Sequence, residues 1–205
     1  MIFVRRNCVS PPEVAELVSE SHSTKDMVDF ALNAVVIAIL LAIHETGHYS
    51  AGRLVGIPGT KMRVVLFQWP PHVAVRADAT GWVTPNPTDM NRYVEILNQH
   101  TRRARDHFVF VGGGHGAEWL AVMGIAGSAL AIDHAVLLDA AGRFVQWAFI
   151  LSAIYVVMDW IGTLRHNAPH GDFSGQWMIH RSATVVFYLV YFGGLVGVAF
   201  ALGLL

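Results

Sequence analysis

With 205 residues, 54% of them hydrophobic and only 14% charged, the chain is too apolar for an ordinary soluble domain and reads as an integral membrane protein. The formal net charge of −1 decides little, but the basic residues form no aromatic-interleaved surface and no base-reading motif, which argues against nucleic acid as a partner. Cys8 is the only cysteine, so no intrachain disulfide can form.

Residues 1–27 are polar to mixed and suggest an N-terminal arm, short and amphipathic or loosely ordered. Residues 28–205 then form a single membrane domain. The first predicted span covers residues 27–55, long enough for the roughly 20 residues a bilayer requires, and Gly56-Ile57-Pro58-Gly59 stops it. Its last third carries His44-Glu45-Thr46-Gly47-His48. Two histidines at i and i+4 share one helix face, with Cβ atoms roughly 5–6 Å apart, and can grip one metal ion between them. Neutral imidazole suits zinc, and a site of three protein ligands leaves room for water. Glu45, beside the pair, is placed as general base. A Glu and two His closing an apolar run of residues 30–43 are costly unless they face a partner or a cavity.

Residues 57–107 form an insertion between the first two spans. Residues 64–83 alternate loosely around Pro70-Pro71, which predicts a small β-hairpin beside the metal helix. Residues 88–107 predict a helix starting near Pro87-Thr88 and ending in the Arg102-Arg103-Ala104-Arg105 cluster, a juxtamembrane anchor on anionic lipid. The second span, residues 108–132, opens with Gly112-Gly113-Gly114-His115-Gly116-Ala117-Glu118. No Lys-Ser/Thr follows these glycines, so they read as a close helix contact and not as a phosphate loop. His115 and Glu118 are candidates to support the metal ligands or line a water path. Asp133 and His134 allow only a tight turn before the third span, residues 136–164, in which Arg143 and Asp159 are read as packing or interfacial residues.

The fourth span, residues 184–205, has no charge. Before it lies Arg165-His166-Asn167-Ala168-Pro169-His170-Gly171-Asp172, rich in metal-binding side chains. Four spans put this loop on the same side as the end of the first helix, so the third ligand is sought here. Asp172 is the first choice, since a carboxylate offsets the charge of a dication; His170 is the second and His166 the third. Asp172 could instead cap the helix that leads into the last span. Lys61, Arg63, Arg76, Arg92, Arg102, Arg103 and Arg105 in the 57–107 insertion predict that this side, and the active site with it, faces the cytoplasm.

The motif at 44–48, followed by Ala51 and Arg53-Leu54-Val55-Gly56, resembles the site-two protease family of intramembrane zinc metalloproteases. Asn167, Pro169 and Asp172 keep the order of that family's second motif, though with Asn-x-Pro, a shorter gap to the aspartate, and Phe173 where Gly is usual. The resemblance implies His44, His48 and Asp172 as Zn2+ ligands, Glu45 as base, and Asn167 as a polar group steadying the substrate carbonyl or the transition state. It also implies a small sheet after the first span that receives an extended substrate strand. The expected protein is thus an all-α polytopic membrane protein of about four spans with an inserted β-hairpin. Its expected activity is zinc-dependent hydrolysis of peptide bonds in or near the transmembrane segment of a membrane-anchored substrate. The alternatives are a membrane metal-binding or transport protein without proteolysis and an inactive protease-like scaffold.

Overall fold

The structure is a computed structural model that describes residues 11–77, 81–86, 88–101 and 103–205, with the backbone alone for residues 11–23. Cys8, Pro87, Arg102 and the start of the expected arm lie outside the described residues. From Pro11 onward the arm is helix, continuous with the first span in α1 (Pro11–Leu54). Pro11 and Pro12 occupy its first turn, where no intrahelical N–H is required.

Among the described residues, four helices are long and apolar enough to cross a membrane, as a multi-pass membrane protein requires. They are residues Thr24–Leu54 of α1, then α3 (Ala104–Ile132), α4 (Ala135–His166) and, with α2 and α5 placed below, α6 (Arg181–Ala201). Large apolar side chains such as Phe30, Leu189 and Phe200 stand outward on these helices, as lipid contact would demand. Inside, Leu40, Val122, Ala126, Val145, Ala148 and Leu195 form the bundle core. The α3–α4 turn is as tight as expected, with Asp133 in the left-handed conformation at φ 51.

A second, smaller core lies beyond the end of α1. A 3₁₀ turn (Gly59–Lys61) leads into β1 (Met62–Val65), β2 (His72–Ala77) and β3 (Gly81–Val83), all antiparallel in that order. The expected hairpin therefore gains a third strand. Val64 pairs with Val73 and Val75 with Val83, so alternate residues of β2 turn inward. Val73, Val75, Tyr93, Ile96, Leu97 and Phe110 bury each other between the sheet, α2 (Met90–His100) and the start of α3.

The helix expected over residues 88–107 is in fact two elements. It breaks at Thr101, whose hydroxyl donates to the Leu97 carbonyl at 2.8 Å while its own carbonyl accepts from His107 Nε2 at 2.8 Å. A β-branched residue turned back on its own helix, with its freed carbonyl satisfied by a side chain, makes a stable corner. After it, α3 is free to enter the bundle. At the far end, α4 stops at Asn167, left-handed at φ 51, and the short helix α5 (Asp172–Ile179) precedes α6.

Candidate metal centre

α1 and α3 cross with their backbones in contact. A Cβ added at Gly113 would lie 2.5 Å from Ala51 Cβ and 2.8 Å from the Gly47 carbonyl oxygen. Only small residues permit this approach, and it brings Gly114, His115 and Glu118 against the two histidines of α1. The glycine run read from the sequence as a helix contact is one, and it also shapes the site.

Three side chains converge at this crossing. His44 Nε2 and His48 Nε2 face each other at 3.2 Å, and Asp172 Oδ2 lies 3.0 Å from the first and 3.1 Å from the second. The outer nitrogens fix the imidazoles. His48 Nδ1–H donates to the Phe110 carbonyl at 2.9 Å, and His44 Nδ1–H donates to Glu118 Oε2 at 3.3 Å. In the neutral rings the inner nitrogens then carry lone pairs, so three lone pairs point at one another and repel unless a cation lies among them. Without a cation, the other resolution is a proton on an inner nitrogen: burial alone would raise the Asp172 carboxyl, but a charged His48 and imidazole N–H groups turned towards it outweigh burial and hold it well below the usual carboxylate range.

Donor type and spacing both suit a small divalent ion. Two nitrogens and a carboxylate oxygen form a group able to hold a metal. Their separations approach the edge of about 3.3 Å in a tetrahedron with bonds of 2.0–2.1 Å. Space is reserved as well: a Cβ on Gly114 would stand 2.5 Å from His48 Nε2 and 2.6 Å from His44 Nε2. Glycine keeps that volume clear.

A polar shell supports the ligands from within the bundle. Tyr191 meets Ser152 Oγ at 2.7 Å, which ties α6 to α4, and its ring packs edge-on against His115 at 5.3 Å. His115, 1% exposed, places Nδ1 3.4 Å from Asp172 Oδ2. His44, His115 and Glu118 also form a second group of possible metal donors. Because His44 Nδ1 is engaged with Glu118, we read that group as support for the first.

Asp172 is positioned by different means. It is the first residue of α5, whose N-cap is Gly171, so it does not cap that helix as the sequence also allowed, and its carboxylate turns to the histidines instead. The anchor of that helix is Asp159 on α4, 3% exposed. Its Oδ2 accepts from the Ser174 backbone N–H at 2.7 Å, its Oδ1 accepts from the Ser174 hydroxyl, and Thr163 also donates to Oδ1 at 3.2 Å. A carboxylate at a helix N-terminus meets both the free N–H groups and the positive end of the helix. Asp159, read from the sequence as a packing or interfacial residue, is the buried support of the third ligand position. Nothing in its local sequence distinguishes it.

Glu45 is 7% exposed and faces a groove of about 690 Å³ between the sheet with α2 on one side and α4 with α5 on the other. His48, Tyr155 and Asp172 open onto the same groove. The remaining expected residues stand outside the group of His44, His48 and Asp172. Asn167 is exposed at the end of α4 in the left-handed conformation that Asn tolerates there, and it is not among the residues lining the groove. His170 and His166, the second and third choices for the ligand, are exposed and stack on each other at 5.4 Å, with His170 at the rim of the groove and neither against the two ligand histidines. His180 caps α6 by accepting from the Ala183 N–H at 3.2 Å. No protein-family model matches the chain, and no curated protein and no solved structure matches it.

Proposed function

We propose that this protein is a membrane-embedded zinc metalloprotease that hydrolyses peptide bonds in or near the transmembrane segment of membrane-anchored proteins. One observation carries the reading: His44, His48 and Asp172 meet at 3.0–3.2 Å, with the carboxylate of Glu45 on the wall of the same open groove. Zinc, when bound, polarises the scissile carbonyl and acidifies a water to a pKa of about 7. Glu45 takes the proton from that water and hands it to the departing amine. Glu118 and the Phe110 carbonyl keep the two imidazoles turned inward throughout.

The groove supplies what a helical substrate needs. A peptide bond in a helix is shielded by its own hydrogen bonds, so cleavage requires local unwinding and partners for the freed backbone groups. β1 and β3 are the outer strands of the adjoining sheet, and a sheet edge is where an extended strand can pair. The motifs at 44–48 and 167–172, similar to those of site-two proteases, point the same way, and the basic insertion supports a site near the cytoplasmic face. A metal carrier or an inactive scaffold has no use for a base beside the metal.

The test is direct. Purified in detergent, the full chain is expected to retain zinc and to cut a peptide containing an apolar membrane segment. Glu45→Gln is expected to keep the zinc and lose at least about 100-fold in activity, the lower end for a general base. Full activity in that variant rules the chemistry out.

A further inference from the structure

Two helices present apolar stripes to the groove that Glu45 faces. On α2, Met90, Val94 and Leu97 recur at i, i+4 and i+7 and line one wall. On α5, Gly175, Met178 and Ile179 recur at i, i+3 and i+4 and line the other. Leu97 is buried in the smaller core, but Val94 is 39% exposed and Met178 67%, so both side chains have free surface for contact. Each wall is anchored. The Tyr93 hydroxyl donates to the Val73 carbonyl at 2.9 Å, which ties α2 to the sheet, and Asp159 holds α5. Among the described residues no Lys or Arg lines the groove, and its two carboxylates, Glu45 and Asp172, both belong to the candidate metal centre.

We propose that α2 and α5 form a specificity pocket for a large apolar side chain of the substrate, two or three residues from the bond that is cut. The inference rests on the protease reading above and adds which substrate residue is recognised. The register follows from α5 itself. Asp172, the third ligand, opens that helix, and Met178 comes near its end. At about 1.5 Å of rise per residue the two are roughly 9 Å apart along the axis. An extended chain advances about 3.3 Å per residue, so a substrate lying in the groove beside α5 reaches Met178 two or three residues from the carbonyl at the metal. Between Val94 and Met178, a Leu, Met or Phe side chain leaves water and meets apolar groups. A Lys or Asp at that position loses its hydration and finds no counter-ion on either wall. Methionine is unbranched and adaptable, so the pocket selects for size and polarity more than for shape.

The experiment uses the full chain in detergent, loaded with zinc, and fluorophore–quencher peptides carrying a leucine-rich apolar segment of about 20 residues. Each position of the segment is changed in turn from Leu to Ala or Lys, and the cut is located by mass spectrometry. Cleavage is read as kcat/KM in the parent protein, and binding as Kd by anisotropy in the Glu45→Gln background. At one position, two or three residues from the cut, Leu→Lys is expected to lower kcat/KM about 10- to 100-fold, and Leu→Ala somewhat less. Met178→Glu and, on the facing wall, Val94→Glu are expected to reverse the preference. The Lys peptide is then bound and cut about 10-fold better than by wild type, with zinc content unchanged. Met178→Ala, a milder change, is expected to weaken the Leu peptide alone. Cleavage that ignores the residue at that distance overturns the inference and leaves the protease reading standing, as does a preference that both glutamate variants keep. Uniform loss of every peptide in the glutamate variants, with no selective loss in Met178→Ala, overturns it too. A Leu preference in binding that Met178→Glu reverses, without any cleavage by the parent, supports the pocket and sinks the protease reading. No binding of any peptide sinks both.

Discussion

The two halves of the candidate metal centre are built in opposite ways. His44 and His48 sit one turn apart on α1, a long helix, and their relation to each other follows from helical spacing alone. Asp172 sits on α5, a helix of eight residues attached to the end of α4 by a turn, and its place depends on Asp159, Ser174 and Thr163. The first half is rigid because its backbone is. The second is held by a few buried hydrogen bonds, each of which can be removed singly. Damage should therefore differ in kind: on the α1 side it blocks the site, while on the α5 side it lets the third ligand wander.

The sharpest break is on the α1–α3 side. Gly114→Ala puts a methyl group 2.5–2.6 Å from both inner imidazole nitrogens, so zinc content measured on the purified protein should fall to near zero while helicity by circular dichroism is kept. Normal zinc content in this variant would mean that the metal, if any, binds elsewhere. On the other side, Asp159→Ala leaves the Ser174 backbone N–H and hydroxyl without their acceptor. About 3 kcal/mol of stability should be lost, since bonds to a charged group contribute roughly 1.5–3 kcal/mol each. Denaturant titration of the apo protein reads this loss directly, and the same variant should bind zinc more weakly through its two remaining histidines. An unchanged midpoint would show that α5 is held by packing and not by Asp159.

Smaller effects sharpen the contrast. Glu118→Leu removes the acceptor that orients His44 and should cost about 10- to 100-fold in zinc affinity by competition with a chromophoric chelator. A Glu118→Leu protein with wild-type affinity would move the orienting role to the packing of α3. Asn167→Gly should change least of all, because glycine adopts φ 51 without strain and the Asn side chain is exposed away from the groove. Activity in that variant is expected to stay within about twofold, where a stability change of a few tenths of a kcal/mol belongs. A large drop in kcat would restore the carbonyl-steadying role that the resemblance implied for Asn167.

How far the chain can be read without coordinates is shown residue by residue. The four spans were legible because a bilayer demands long apolar runs, and such runs are visible in composition. The α2–α3 corner was not, since helical periodicity continues through Thr101 and the break depends on a side chain, His107, that folds back onto it. The third strand was missed because three residues show too short an alternation to separate from a loop. Glu118 was noticed as an ionisable group in a span, but its partner His44 is 74 positions away and no local pattern names it. Asp159 was read as packing or interfacial for the same reason.

The sequence alone determined the spacing of His44 and His48, the parity that puts the 165–183 loop on their side, and the apolar lengths that place both at a membrane. These are local or additive properties, set by helix geometry and by transfer of side chains out of water. Only the tertiary structure decided which of the candidate donors in that loop meets the pair, which carboxylate orients His44, and which holds α5. Those outcomes turn on contacts within 3–4 Å between elements far apart in the chain, and at that distance the close approach of Gly47 and Gly113 and the anchoring of α5 by Asp159 decide what touches what.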